Sequence, residues 1–81
     1  MGINYNRIAQ IATLSKNIDK DGITWSNELN IISWNNGVPV FDIREWDESH
    51  NKCRLGVKLS ADEMKQLVNG FSKYAKEVEL I

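Results

Sequence analysis

One cysteine, one proline and one histidine are all that this 81-residue chain holds of those three types. A lone thiol, Cys53, excludes an internal disulfide and a cysteine-based metal site, and it makes a reducing, cytoplasmic setting the expectation. No apolar run approaches the roughly 20 residues that cross a bilayer. The N-terminal stretch Met1 to Arg7 has no signal-peptide core. It also misses the myristoylation pattern, because Asn6 stands where Ser or Thr is required. Neither sign of charge dominates. A net charge of −1 argues against gripping nucleic acid by bulk charge, so any such binding must use a local basic patch or stacking.

Reactive constellations are equally scarce. No glycine-rich phosphate loop and no nucleophile elbow is present. His50 lies in the polar connector Asp47 to Lys52 with no cysteine or second histidine near it, and reads as a solvated loop residue. Asp42, Glu45, Asp47 and Glu48 form a carboxylate cluster, but Asp42 and Glu45 point to opposite faces of a strand and no EF-hand spacing occurs. The expectation is a chain with no catalytic residue, no metal and no cofactor, hence not an enzyme.

What is present is an organised hairpin. Ile31 to Trp46 places two β-branched and aromatic runs around Asn36-Gly37, a pair that tolerates the left-handed backbone of a type I′ turn. Closing on those two residues sets Ser33 opposite Val40, Ile31 opposite Asp42 and Leu29 opposite Arg44. Ile32, Trp34, Phe41 and Ile43 then share a core face, while Arg44 and Trp46 share the other. A three-residue loop with Gly37 in the left-handed region is the alternative, and it buries Leu29 and Ile31 instead. In both, Arg44 and Trp46 lie together, opposite Phe41 and Ile43.

Residues 1–7 read as a short polar leader and 8–81 as a single domain. Ile8 to Ser15 fits alternation only loosely, and Ile8, Ile11 and Ala12 also fit a helix face; it is read as a strand. Ile23 to Trp34 and Pro39 to Trp46 are the hairpin strands. Cys53 to Leu59 is a short fourth strand in which Gly56 marks a bulge or a close approach. Ser60-Ala61-Asp62-Glu63 is a capping box. Beyond it Met64, Leu67, Val68, Phe71, Ala75 and Val78 form one apolar helical stripe. A helix of about 18 residues is roughly 27 Å long, enough to overhang a four-stranded sheet. The uncovered end points to a homodimer with Leu67, Phe71, Tyr74 and Val78 in its interface. The fold class is α+β, a four-stranded antiparallel sheet followed by one C-terminal helix.

Three tryptophans in 81 residues is the unusual feature. Trp34 falls on the core face. Trp25 and Trp46, with Asn27 opposite Trp46, fall on the face of Arg44. Aromatics on a sheet can stack single-stranded bases with little sequence preference, and Arg44 beside them can pair with phosphate. Lys52, Arg54 and Lys58 extend a phosphate track. Packing across strands or beneath a dimer partner is the plain alternative for the aromatics, and a basic strand edge that resists aggregation is the plain alternative for Lys58. A docking face for a peptide or protein partner is a competing function for the same surface.

The segment Asp42-Ile43-Arg44-Glu45-Trp46, the hairpin before it and the passage Leu55 to Ser60 resemble the positive cofactor four family of transcriptional coactivators, especially small bacterial members. Glu28 to Asn30 and Ser33 to Asn35 carry further likeness, and the resemblance spans about residues 8–72. It implies a β-β-β-β-α homodimer that binds single-stranded DNA across curved sheets and acts in transcription, with the transcription machinery as a partner, or in handling melted DNA. It assigns the motif arginine to Arg44, the following aromatic to Trp46 and the basic position of the fourth strand to Arg54. Leu55 occupies a position where the family carries a basic residue. Nothing in the sequence separates DNA from RNA as the ligand.

Overall fold

The computed structural model describes residues 4–78. The chain forms β1 (Tyr5–Ile18), β2 (Thr24–Trp34), β3 (Val40–Asp47), β4 (Val57–Leu59) and α1 (Ala61–Glu77). The strands make one antiparallel sheet in chain order, with β1 and β4 at its edges. The first strand starts at Tyr5, inside the stretch that reads as a leader. The fourth is shorter than the sequence suggests: Cys53 makes only an isolated bridge to Trp46, and regular pairing begins at Val57.

β1 explains why its sequence alternates so poorly. Its pairing with β2 slips between Arg7 and Ala9, between Gln10 and Ala12, and between Thr13 and Ser15. Each slip inserts one apolar residue, Ile8, Ile11 or Leu14, so these recur every third position. A bulge bends a strand and raises its twist, and three in succession curve this edge.

The hairpin register differs by one residue from that of an Asn36-Gly37 turn. Asn35 and Asn36 take the positive φ angles, 50° and 61°. The Gly37 N–H closes the turn on the Trp34 carbonyl at 2.8 Å. Asparagine enters the left-handed region readily, and Gly37, which is not left-handed here, adds a third residue to the loop, so the register is that of the three-residue alternative. Gly37 is needed for another reason: a Cβ there would lie 2.9 Å from the Trp34 carbonyl oxygen. The ladder then runs Ile32–Val40, Asn30–Asp42, Glu28–Arg44 and Ser26–Trp46.

That one-residue slip transfers alternate β2 side chains to the other face. Ser26, Glu28, Asn30, Ile32 and Trp34 join Asp42, Arg44 and Trp46, with Lys58 opposite Asp42. We call this the polar face. Trp25, Asn27, Leu29 and Ile31 join Phe41, Ile43 and Glu45 on the apolar face, with Val57 and Leu59. β2 lies between β1 and β3, and Leu29 and Ile32, on its opposite faces, are both buried.

The Ser60 capping box forms as the sequence predicts: the Ser60 hydroxyl accepts from the Glu63 amide, and the Glu63 carboxylate accepts from the Ser60 amide at 2.8 Å. The helix meets the sheet only through β3 and β4, with Phe41, Met64 and Val68 around a small apolar groove. Its stripe stays open to solvent, with Leu67, Val68, Phe71, Tyr74 and Val78 all exposed. The radius of gyration is 14.7 Å, against about 12 Å for a closed globule of this length. The sheet and helix thus spread into a slab rather than closing on each other. No helix among the described residues is long and apolar enough to cross a membrane.

Candidate nucleic-acid interface

The polar face is built around a stack of aromatics. Trp34 and Trp46 lie nearly parallel, 10° apart, with ring centroids separated by 6.0 Å. Tyr5 leans on Trp46 at 4.7 Å, and the His50 ring covers it at 5.7 Å. Trp46 is therefore wholly buried, at 0% exposure, and presents no ring face to a ligand in this conformation. Its place is the floor of the cluster. Trp34, which the sequence assigns to the core, is half-buried at the edge of that floor. Two cations stand over its ring: the Arg44 guanidinium at 4.6 Å and the Lys58 ammonium at 5.2 Å.

Arg44 is already engaged. Its Nε and Nη2 donate to the Asp42 carboxylate at 2.7 and 2.9 Å, and Nη1 donates to the Arg54 carbonyl at 3.3 Å. Burial pushes the guanidinium toward losing its proton, but the Asp42 carboxylate outweighs that and holds its pKa above the ordinary value. Three of five N–H donors are used, so two remain for a ligand. Lys58, exposed and opposite Asp42 in the ladder, is the freer cation. Gly56 lets the β4 approach pass close to β3, since a Cβ there would collide with the Ile43 carbonyl oxygen and the Arg44 Cβ.

The other expected site residues do not join this group. Trp25 and Asn27 lie on the apolar face, in consequence of the register. Arg54 goes with them: its guanidinium covers the Trp25 ring at 4.0 Å and pairs with Glu45 at 2.9 Å. Asp19 accepts from the Trp25 indole N–H at 2.9 Å. That hydrogen bond, then those from the Ile23 and Asp21 amides, keep the Asp19 carboxyl below its usual range. Lys52 is exposed in the connector, where its amide and that of Asn51 cap the Asp47 carboxylate at 3.0 Å. Of the residues expected to bind nucleic acid, the fold gathers Arg44, Trp46 and Lys58 on one face, puts Trp25, Asn27 and Arg54 on the opposite one, and leaves Lys52 between them.

Glu28 and His50 escape a reading of the sequence. His50 is held in a turn at φ 58°, with its Nε2 3.0 Å from Glu28 Oε2. The Tyr5 hydroxyl donates to the His50 carbonyl at 2.8 Å. It is thus a packed residue rather than a solvated one. Glu28 is 2% exposed, and burial alone would raise its pKa. The polar side chains of Asn30, Ser26 and His50 outweigh that and depress it. The only sequence signal was Glu28 in the middle of a strand, alternating with Asn30 on one face.

Residues 22–70 match the family model described as Transcriptional Coactivator p15 (PC4). That span is well over half of the chain, and the chain belongs to this family. That family is one of nucleic-acid-binding, non-enzymatic proteins. An uncharacterized protein of Treponema pallidum (strain Nichols) is 36% identical over 58 residues, which cover 68% of this chain and 68% of that one.

Proposed function

We propose that this protein is a homodimer that binds single-stranded DNA along its polar face, in a coactivator-type role or in the handling of melted DNA. The observation that carries the reading is Trp34. It is a partly open indole, backed by a second indole and flanked by Arg44 and Lys58. A base that displaces these cations from the ring gains a π-surface, and the displaced cations reach the adjoining phosphates. Family membership supports the same ligand class. The open helix stripe and the spread shape of the chain support a second copy over Leu67, Phe71, Tyr74 and Val78. Lys52, exposed in the connector, extends the proposed contact surface.

The test is titration with a deoxythymidine oligomer, with the matching duplex alongside, read by anisotropy and by sedimentation. Preference for the single strand, with two chains per particle, is the expected result. Stacking is worth about 1–3 kcal/mol per base, so Trp34→Ala weakens binding roughly tenfold. Equal affinity for duplex and single strand, or an unchanged Trp34→Ala variant, overturns the reading. A competing RNA oligomer decides between the two nucleic acids.

A further inference from the structure

We propose that a cavity on the polar face, at the end of the sheet away from Trp34, is a subsite that reads guanine. This rests on the reading of the chain as a single-strand binder. The cavity holds about 400 Å³, the size of a small-ligand site, and is lined by Lys16, Ser26, Glu28, Asp47, Glu48 and His50 among others. Three carboxylates make it hostile to phosphate, so what enters from a bound strand is a base. Among the described residues no three His, Cys, Asp or Glu side chains converge to hold a metal.

A second, independent observation points to a ligand there. Ser26 is 8% exposed and its Oγ has no hydrogen-bond partner. It lies near enough to Glu28 to help lower that carboxyl's pKa, yet makes no well-formed hydrogen bond with it. Among the described residues it is one of four buried side-chain atoms left unpaired, with Asn30 Oδ1 and the indole nitrogens of Trp34 and Trp46. All four residues lie on the polar face. Buried polar atoms are usually satisfied, so their concentration on one surface marks it as shaped by something other than stability.

The chemistry of the lining selects among bases. The Watson–Crick edge of guanine offers two adjacent donors, N1–H and the 2-amino group, followed by the O6 acceptor. Carboxylates answer the donors, and Lys16, which pairs with Ser26 across β1 and β2, answers O6. Glu28 has about four acceptor positions, and Asn30 and His50 leave one open. Thymine sets one donor between two acceptors and faces repulsion from the same groups. Cytosine and adenine each lack the second donor.

Two measurements test this on the intact protein. Amide NMR spectra are recorded with 2′-deoxyguanosine and with thymidine. Shifts confined to Thr24, Ser26, Asp47 and His50 with the guanine nucleoside alone are expected. Anisotropy then compares a deoxythymidine nonamer with the same strand carrying one central dG. The dG raises affinity about tenfold, and Lys16→Gln, on an exposed position, removes most of that gain. Equal response to both nucleosides, shifts elsewhere, or no gain from dG overturns the subsite while leaving single-strand binding intact. If neither strand binds, the proposed function falls, and the nucleoside spectra alone decide the subsite.

Discussion

Replacing Asp42 with asparagine removes one charge and almost no volume, and the fold makes its effect two-sided. Asp42 is fully buried, and the Arg44 side chain it holds is 10% exposed. Deleting one partner of a buried ion pair costs about 3–5 kcal/mol, because the other charge stays behind uncompensated. Two features lower the cost here. The amide oxygen of the substituted side chain can still accept from Arg44 Nε, and the guanidinium lies close enough to the surface to draw in water. A loss of about 2–3 kcal/mol is expected by urea denaturation with an unchanged m-value. That is a large part of the roughly 5–15 kcal/mol typical of a whole domain. The same change frees the guanidinium beside Trp34. Affinity for single-stranded DNA therefore rises, and the slope of log affinity against log salt steepens by about 0.7 for one added phosphate contact. Stability and binding move in opposite directions. A loss under about 0.5 kcal/mol, or weaker binding by a still-folded variant, would refute the claim that Asp42 neutralises Arg44 at this surface.

Three further outcomes follow from particular contacts. Gly56→Ala forces a methyl group against the Ile43 carbonyl and the Arg44 Cβ, both parts of a paired strand. A loss of about 2 kcal/mol or more in thermal or urea unfolding is expected, and a neutral result would show that the β4 approach is free to move. Glu28 has a depressed pKa, so its contribution to stability is present above the unfolded value of 4.5 and is lost as pH falls through the lower folded value. Melting temperature followed from about pH 7 to about pH 3 should fall less steeply in Glu28→Gln than in the parent, and parallel curves would mean Glu28 is not linked to folding. Phe71→Asp, on the open helix stripe, is expected to halve the sedimenting mass while the far-ultraviolet circular dichroism is kept; a mass that does not change places any dimer contact elsewhere.

Most of the architecture is legible in the sequence because its strongest local rules agree. Ser60 and Glu63 announce the helix start, Gly56 the close approach and the apolar stripe the helix itself. The site is legible only in part, and the failure has one origin. Asn35, Asn36 and Gly37 can all serve a tight turn, and a loop of three of them rather than two shifts the register by one. A strand with buried residues on both faces, as β2 has, gives no clean alternation to arbitrate. That single step exchanges Trp34 for Trp25 beside Arg44. The burial of Trp46 depends on Tyr5 and His50, which are distant in sequence and arrive only when β1 and the 47–50 turn close over it. The broken alternation of β1 has a separate cause, since inserted residues at every third position disguise a strand as something nearer a helix period.

Those three insertions also bear on how this protein keeps to itself. A fourteen-residue outer strand with a straight rim would invite another chain to zip along it, and fibrils are the usual end of such recruitment. With Ile8, Ile11 and Leu14 each throwing the rim out of step, no ordinary neighbour can match more than the four consecutive residues Ser15 to Ile18, and elsewhere no more than three. The oily residues that make the bulges are thereby kept from templating growth, and deleting any one of them should lengthen the run on which an aggregate could seed.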